Sequence, residues 1–168
     1  MPIIRSELPQ DVADIRLVHR TAFDSPVEAD LVDVLRQQAQ PFVSLLAVDG
    51  DDVIGHIAFS PMTLASRPDV SIAGLAPMAV LPSRQRAGVG TSLVRAGLLE
   101  CARLGFVAVV VLGHAEYYPR FGFLPASTFG LSSEFDVPDA VFMALELQPG
   151  ALGGCRGVVR YHPAFGSV

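Results

Sequence analysis

From Pro77 to Thr91 the chain reads Pro-Met-Ala-Val-Leu-Pro-Ser-Arg-Gln-Arg-Ala-Gly-Val-Gly-Thr, a buried strand that runs into a glycine-containing loop and then into a helix. The chemistry of such a junction lies in its backbone. A helix leaves its first N–H groups without intrahelical acceptors, and its dipole places partial positive charge at the same end. A phosphate or pyrophosphate is favoured there. Gly88 and Gly90 let an anion approach the backbone with no Cβ in the way. The candidate anion-binding residues are therefore Gln85, Arg86, Ala87, Gly88, Val89, Gly90 and Thr91, with Arg84 and Arg86 as sources of nearby positive charge. The chain is expected to hold a phosphorylated cofactor.

What the loop lacks narrows the choice. A Walker phosphate loop needs Lys followed by Ser or Thr after its last glycine, and this chain contains no lysine. A dinucleotide fingerprint needs G-x-G-x-x-G at the first strand-to-helix turn, whereas here the spacing from Gln85 is Q-x-x-G-x-G near mid-chain. In this the sequence resembles the GNAT-type N-acetyltransferases, whose pyrophosphate loop follows [QR]-x-x-G-x-[GA]. It is most similar to small bacterial members with a P-M-A-V-x-P strand, this loop, and a later Y-Y-P-R-F-G-F segment. All three occur in that order, at Pro77–Pro82, Gln85–Gly90 and Tyr117–Phe123. The resemblance spans roughly residues 3 to 165.

The resemblance implies a mixed α/β fold, with a central, mostly antiparallel sheet splayed at one parallel strand pair and flanked by helices. It implies acetyl-CoA as co-substrate, its pantetheine arm entering the splay along Met78, Ala79 and Val80 and its pyrophosphate on the loop amides. Strand groups left unpaired by the splay need partners, and pantetheine amides supply them. Pro77, which has no N–H, suits an irregular ladder or a strand edge.

Acetyl transfer to an amine needs a deprotonated nucleophile, support for the oxyanion and a proton for the departing thiolate. A backbone N–H at Val80 or Met78 is the candidate for the oxyanion. The resemblance places the general acid at Tyr118, with Tyr117 directed elsewhere. An alkyl amine has a pKa of about 10 and arrives protonated at neutral pH. Where some relatives carry a strand glutamate, Ala73-Gly74-Leu75-Ala76 has no acid, and Gly113-His114-Ala115-Glu116 lacks the asparagine often found after the fifth strand. Glu28, His114 and Glu116 are the remaining candidates for the base, with a water chain as the alternative.

The elements that must position these groups are legible in the hydrophobic pattern. Ile3 and Ile4 suggest a first strand. Val12, Ile15, Val18 and Ala22 recur at helical spacing, Pro26 interrupts, and Val27, Leu31, Val34 and Leu35 begin a second helix that ends before Pro41. Ser44 to Val48 and Val53 to Phe59 flank Asp49-Gly50-Asp51-Asp52, as in an antiparallel hairpin. A strand over residues 71–81 leads into the loop, and the next helix buries Val89, Leu93, Gly97, Leu98 and Cys101. Val107 to Leu112 is an unbroken apolar run, expected to be a covered strand lying parallel to the one before the loop. A short helix near 115–121, a strand near 140–147 and another near 158–161 complete the expectation. His56 within its apolar strand is expected to be structural. Arg5, Glu7, Arg16 and His19 are expected to be solvated.

At 168 residues the chain is read as one domain spanning 1–168. Its hydrophobic fraction of 51% is high, yet no apolar run approaches the roughly 20 residues that span a bilayer. The start lacks the pattern of a secretory signal, and a cytoplasmic protein without a membrane partner is expected. The net charge of −5 argues against nucleic acid and accords with a cationic substrate. No His, Cys or carboxylate cluster has metal-ligand spacing, so no metal is expected, and neither Cys101 nor Cys155 looks activated. The expected activity is direct acetyl transfer from acetyl-CoA to a primary amine, on a small molecule or a protein N-terminus, in a ternary complex, with a homodimer as the family's tendency. The alternatives are a CoA-binding module for sensing or assembly and, further off, a nucleotide-binding α/β protein.

Overall fold

The computed structural model describes residues 2–166. Strand β1 (Ile3–Ser6) is followed by helices α1 (Val12–Phe23) and α2 (Val27–Gln38), then β2 (Val43–Asp49), β3 (Asp52–Leu64) and β4 (Ile72–Val80). Helix α3 (Val89–Arg103) carries the chain to β5 (Ala108–Leu112). Short strands β6 (Leu124–Pro125) and β7 (Leu131–Ser133) come next, then β8 (Phe142–Glu146) and β9 (Gly157–Arg160). The main run of the sheet is ordered β1-β2-β3-β4-β5-β8-β6. Within it every neighbouring pair is antiparallel except β4 and β5. This is the expected mixed sheet. A second, three-residue parallel pair, β7 with β9, hangs from the far end of β3, and neither β6 nor β7 was expected.

Two helical layers enclose the sheet because β2 and β3 present apolar side chains to both faces. Leu45 and Ala47 belong to the cluster that α3 covers with Leu93, Val94 and Cys101. Leu46, alternating to the other side as a strand requires, meets Ile15 of α1 and Val32 of α2. Helix α3 turns Ser92, Arg95 and Arg103 to solvent, and Leu98, expected to be buried, is only half-buried. Burial pushes the Cys101 thiol up to about 12, so it is an inert core residue.

Three expectations are corrected. Strand β3 runs on to Leu64 rather than stopping at Phe59, and its added length holds β9. The short helix after β5 is a 3-10 turn confined to Tyr118–Phe121. The polar residues near the N-terminus are not a solvated face. Arg5 pairs with the nearly buried Asp11, Arg16 bridges Asp30 and Asp33, Glu7 is gripped by Arg36, and His19 has no exposed surface.

Candidate active site

Strands β4 and β5 pair only at Ile72–Ala108, Ala73–Val109 and Gly74–Val110. Beyond Gly74 they part. The cause is visible in the register on the other edge of β4, where Ile57 opposes Met78 but Phe59 opposes Leu75. Two steps of β3 are thus matched by three of β4, and the extra residue falls at Ala76–Pro77. Such a bulge bends and twists its strand, and the proline there has no N–H to leave unpaired. The parted strands open a cleft of about 510 Å³ walled by residues 75–80 of β4, residues 111–114 at the end of β5, Phe23 of α1, Gln85, Tyr117 and Tyr118. The predicted strand residues Met78, Ala79 and Val80 therefore stand at the cleft edge, and Pro77 sits at the ladder irregularity.

Val80, Gln85 and Tyr117 also line a second cavity of about 420 Å³, completed by Arg84, Arg86, Gly88, Gly90, Thr91 and Arg120. The loop is pinned to the strand by the Gln85 side-chain amide, whose Nε2 donates to the Val80 carbonyl at 3.0 Å. Gly88 caps α3 at φ 86°, a left-handed conformation open to glycine. The first helical bond is Ser92 N–H to the Gly88 carbonyl at 3.0 Å, and the amides from Gly88 to Thr91 ahead of it are the donors that a helix N-terminus leaves unpaired. Ala87 and Val89 complete the loop, Ala87 exposed and Val89 buried under α3.

Three arginines surround this second cavity in a chain of net negative charge. Arg84 is already engaged by Asp49 at 2.6 Å. Arg86 is held at φ 63°, unusual for a residue with a side chain. Arg120 was not singled out in the sequence, yet its guanidinium lies 4.3 Å from the Tyr117 ring centroid and its Nε donates to the Tyr117 carbonyl at 2.8 Å. Its spacing three residues beyond Tyr117 was the available signal.

Both tyrosines face the cleft, which corrects the expectation that Tyr117 is directed elsewhere. With Tyr117 capping the 3-10 turn and Tyr118 opening it, the two rings meet edge to face at 5.1 Å, and the Tyr117 hydroxyl shares a 3.1 Å hydrogen bond with Thr91. Tyr118 is the more enclosed, with 7% exposure. Its ring lies where a Cβ on Gly113 would come within 2.5 Å of it, so only glycine fits at that position. Burial pushes the Tyr118 phenol up to about 12, with Tyr117 adding to the shift.

Of the predicted bases, His114 lines the cleft. Glu116 lies with it on an adjoining depression of about 550 Å³ that includes Val137 and Val141. Glu28 sits half-buried in the first turn of α2 and is not a lining residue of the cleft. Behind Phe23 the structure gathers polar groups that sequence reasoning left apart. His19 Nε2 lies 2.8 Å from His56 Nδ1, and His56 Nε2 lies 2.7 Å from Ser44 Oγ. Ser44 donates to Glu7 at 2.5 Å. Both imidazoles have no exposed surface, and burial lowers the affinity of each for a proton, that of His19 to about 4. Among the described residues, no group of three His, Cys, Asp or Glu side chains could hold a metal ion, and no helix is long and apolar enough to cross a membrane.

A mixed sheet opened at its parallel strand pair beside a helix N-terminus, with Tyr117 where the two cavities meet, is the arrangement that the sequence resemblance implies for an N-acetyltransferase. The family model of the Acetyltransferase (GNAT) family matches residues 12–123, and the chain belongs to that family. It is 36% identical over 164 residues to the N-acetyltransferase YhbS of Escherichia coli K12, covering 97% of this chain and 98% of the relative. The crystal structure of Escherichia coli YhbS in complex with CoA superposes with a TM-score of 0.91 at 35% identity, covering 98% of this chain and 92% of that one. A GNAT family acetyltransferase from Brucella melitensis in complex with acetyl-CoA gives 0.81 at 36% identity, with 98% of each chain covered.

Proposed function

We propose that this enzyme transfers the acetyl group of acetyl-CoA to a primary amine by direct attack in a ternary complex. The observation that carries the reading is the parting of β4 and β5 beyond Gly74, directly beside the loop amides of residues 85–91. An open strand edge suits a ligand with amide groups of its own. The arginine-rimmed helix N-terminus suits a pyrophosphate. The two cavities share Val80, Gln85 and Tyr117, so one extended molecule fits both. The related structures that hold CoA and acetyl-CoA support the same assignment.

In this reading the strand edge at Met78, Ala79 and Val80 holds the pantetheine arm, and a backbone N–H of Met78 or Val80 polarises the thioester carbonyl. The amine nitrogen bonds to the carbonyl carbon, the carbon–sulfur bond breaks, and the thiolate receives a proton. Tyr118 is the donor. A phenol pushed to about 12 stays protonated at every working pH and offers its O–H to the sulfur. The proton shed by the attacking nitrogen restores the phenol, so the cycle closes without a net proton on the enzyme. His114 lines the cleft and Glu28 does not, so of the two His114 is placed to pass the proton of the attacking nitrogen on towards the phenol. The acceptor is a small-molecule amine or a protein N-terminal amine, and the enzyme acts in the cytoplasm.

The test is release of CoA thiol from acetyl-CoA across a panel of amines, with mass spectrometry of the product. Amine-dependent release with an N-acetylated product supports the reading, and its absence across the panel refutes it. The lack of a carboxylate on β4 beside the cleft favours a second reading, a CoA-binding module without turnover. That module predicts thermal stabilisation by CoA, no amine-dependent release, and no effect of Tyr118→Phe on any rate.

A further inference from the structure

The buried polar chain behind Phe23 has a direction, and the direction follows from its charged end. Glu7, held by Arg36, can only accept, so the Ser44 hydroxyl spends its proton on Glu7. Ser44 Oγ must then accept from His56 Nε2–H, which leaves His56 Nδ1 as an acceptor for His19 Nε2–H. The last group, His19 Nδ1, is left as a bare lone pair, fully buried and without a partner. Three bonds thus point from His19 towards Glu7.

The Glu7 end of the chain lines a depression, and the His19 end lies one ring away from the cleft. The His19 ring stacks on Phe23, one helical turn on, at 6.0 Å and 8°, and Phe23 is a wall of the catalytic cleft. His56 is the cross-strand partner of Ala79, also a cleft residue. Among the described residues, the other buried side-chain N or O atom without a partner is Ser60 Oγ, which strand alternation places on the same face of β3 as His56. Ser60 pairs with Gly74, where β4 and β5 begin to part. The two orphan atoms therefore bracket the bulged segment that forms the cleft wall. At the far end, Glu7 and Ser44 line a separate depression of about 190 Å³.

We propose that His19, His56, Ser44 and Glu7 form a proton relay that takes the ammonium proton of the acceptor amine from the cleft and delivers it to solvent at Glu7. The proposal rests on the N-acetyltransferase reading above. The amine N–H bond breaks as a proton passes to a cleft water, and that water, admitted when the exposed Phe23 ring swings aside, gives one of its protons to His19 Nδ1. His19 Nε2 hands its proton to His56 Nδ1, His56 Nε2 to Ser44 Oγ, and Ser44 to a Glu7 oxygen. One positive charge leaves the ammonium, one negative charge disappears at Glu7, and both rings end neutral. Loss of the Glu7 proton to solvent and exchange of the two imidazole tautomers reset the chain. Besides these groups, the charged residues at the Glu7 end are Arg36, Asp33 and, through Asp33, Arg16 of α1, together with Glu100 of α3, which lines the same depression and is paired with Arg103. His19, His56, Ser44 and Glu7 are positioning residues, since water stands between them and the substrate.

The test uses the whole enzyme, acetyl-CoA and the best acceptor among benzylamine, putrescine and alanine amide. Glu7→Gln retains an acceptor for Ser44 but takes no proton, and Ser44→Ala breaks the chain at its centre without touching the ion pair. Each is expected to lower kcat/KM about 100-fold near neutral pH, with the loss shrinking about tenfold per pH unit towards the amine pKa of about 10, and with KM for acetyl-CoA unchanged. A wild-type pH profile that superposes on those of both variants overturns the relay and leaves the acetyltransferase reading standing. Absence of amine-dependent CoA release by the wild type overturns both. Independently of turnover and of variant folding, long-range ¹H–¹⁵N spectra of the wild type should show both histidines as Nε2–H tautomers. A proton on His19 Nδ1 in the resting enzyme overturns the proposal.

Discussion

The hydroxyl of Tyr117 meets that of Thr91 at 3.1 Å, joining the 3-10 turn after β5 to the first turn of α3. This contact lies where the strand cleft and the loop cavity meet, since Tyr117 lines both. It ties the group expected to donate the proton, next door at Tyr118, to the backbone expected to hold the diphosphate. Arg120 lies over the face of the Tyr117 ring and holds the ring in place.

Removing that hydroxyl should therefore loosen cofactor binding more than chemistry. A single neutral hydrogen bond is worth about 1 kcal/mol, so Tyr117→Phe is expected to raise the KM for acetyl-CoA about fivefold. Its kcat should stay within about threefold of wild type. Initial rates at saturating amine with varied acetyl-CoA read this out. A kcat loss as large as that of Tyr118→Phe would instead make Tyr117 the proton donor.

Tyr118→Phe keeps the ring that packs against Gly113, Phe121 and Phe123 and deletes only the hydroxyl. Loss of a general acid costs roughly 100-fold or more in kcat, with the KM for acetyl-CoA nearly unchanged. An acetyl thioester with a more acidic thiol has less need of the acid, so the defect should narrow with such a donor. Steady-state comparison of the two donors checks both statements.

How much of this site was legible depended on how far apart in the chain its parts lie. Gln85 to Thr91 is a local pattern, and the amides there are presented by the loop and helix that the local residues specify. The splay was implied by the family resemblance alone, since apolar strands flanking one crossover helix report only that β4 and β5 are parallel. Tyr117 was misplaced because a 3-10 turn, not an α-helix, sets its direction. The His19–His56 and Ser44–Glu7 contacts each join residues 37 positions apart. No local periodicity reports such a contact. A histidine on a helix face and another in a strand are each compatible with solvent until the α1–β3 packing brings them together.

Gly88 offers a test of the loop backbone. At φ 86° a residue with a Cβ is strained by roughly 1–2 kcal/mol, although nothing lies within 4 Å of where that Cβ would be. Gly88→Val should thus fold, but with the loop amides displaced. CoA should stabilise the variant far less than the wild type in thermal unfolding, with about tenfold weaker binding by calorimetry. An unchanged CoA affinity would show that the amides do not hold the diphosphate.

Burial of His19 also makes stability depend on pH, with a definite sign. Its pKa falls from an ordinary 6.5 to about 4 on folding because the charged ring cannot be solvated. Between these values the unfolded chain binds more protons than the folded one, so stability declines as pH falls. The contribution is complete above about pH 6.5 and is lost on descending to about pH 4, a change of about 3 kcal/mol at most. His56, also lowered by burial, acts in the same direction. Asp11, held down by Arg5, extends the loss into more acidic solution. Urea unfolding at a series of pH values should show this decline, and His19→Gln should flatten it between pH 4 and 6.5. Curves of equal slope for variant and wild type would mean that His19 stays accessible to protons in the folded enzyme.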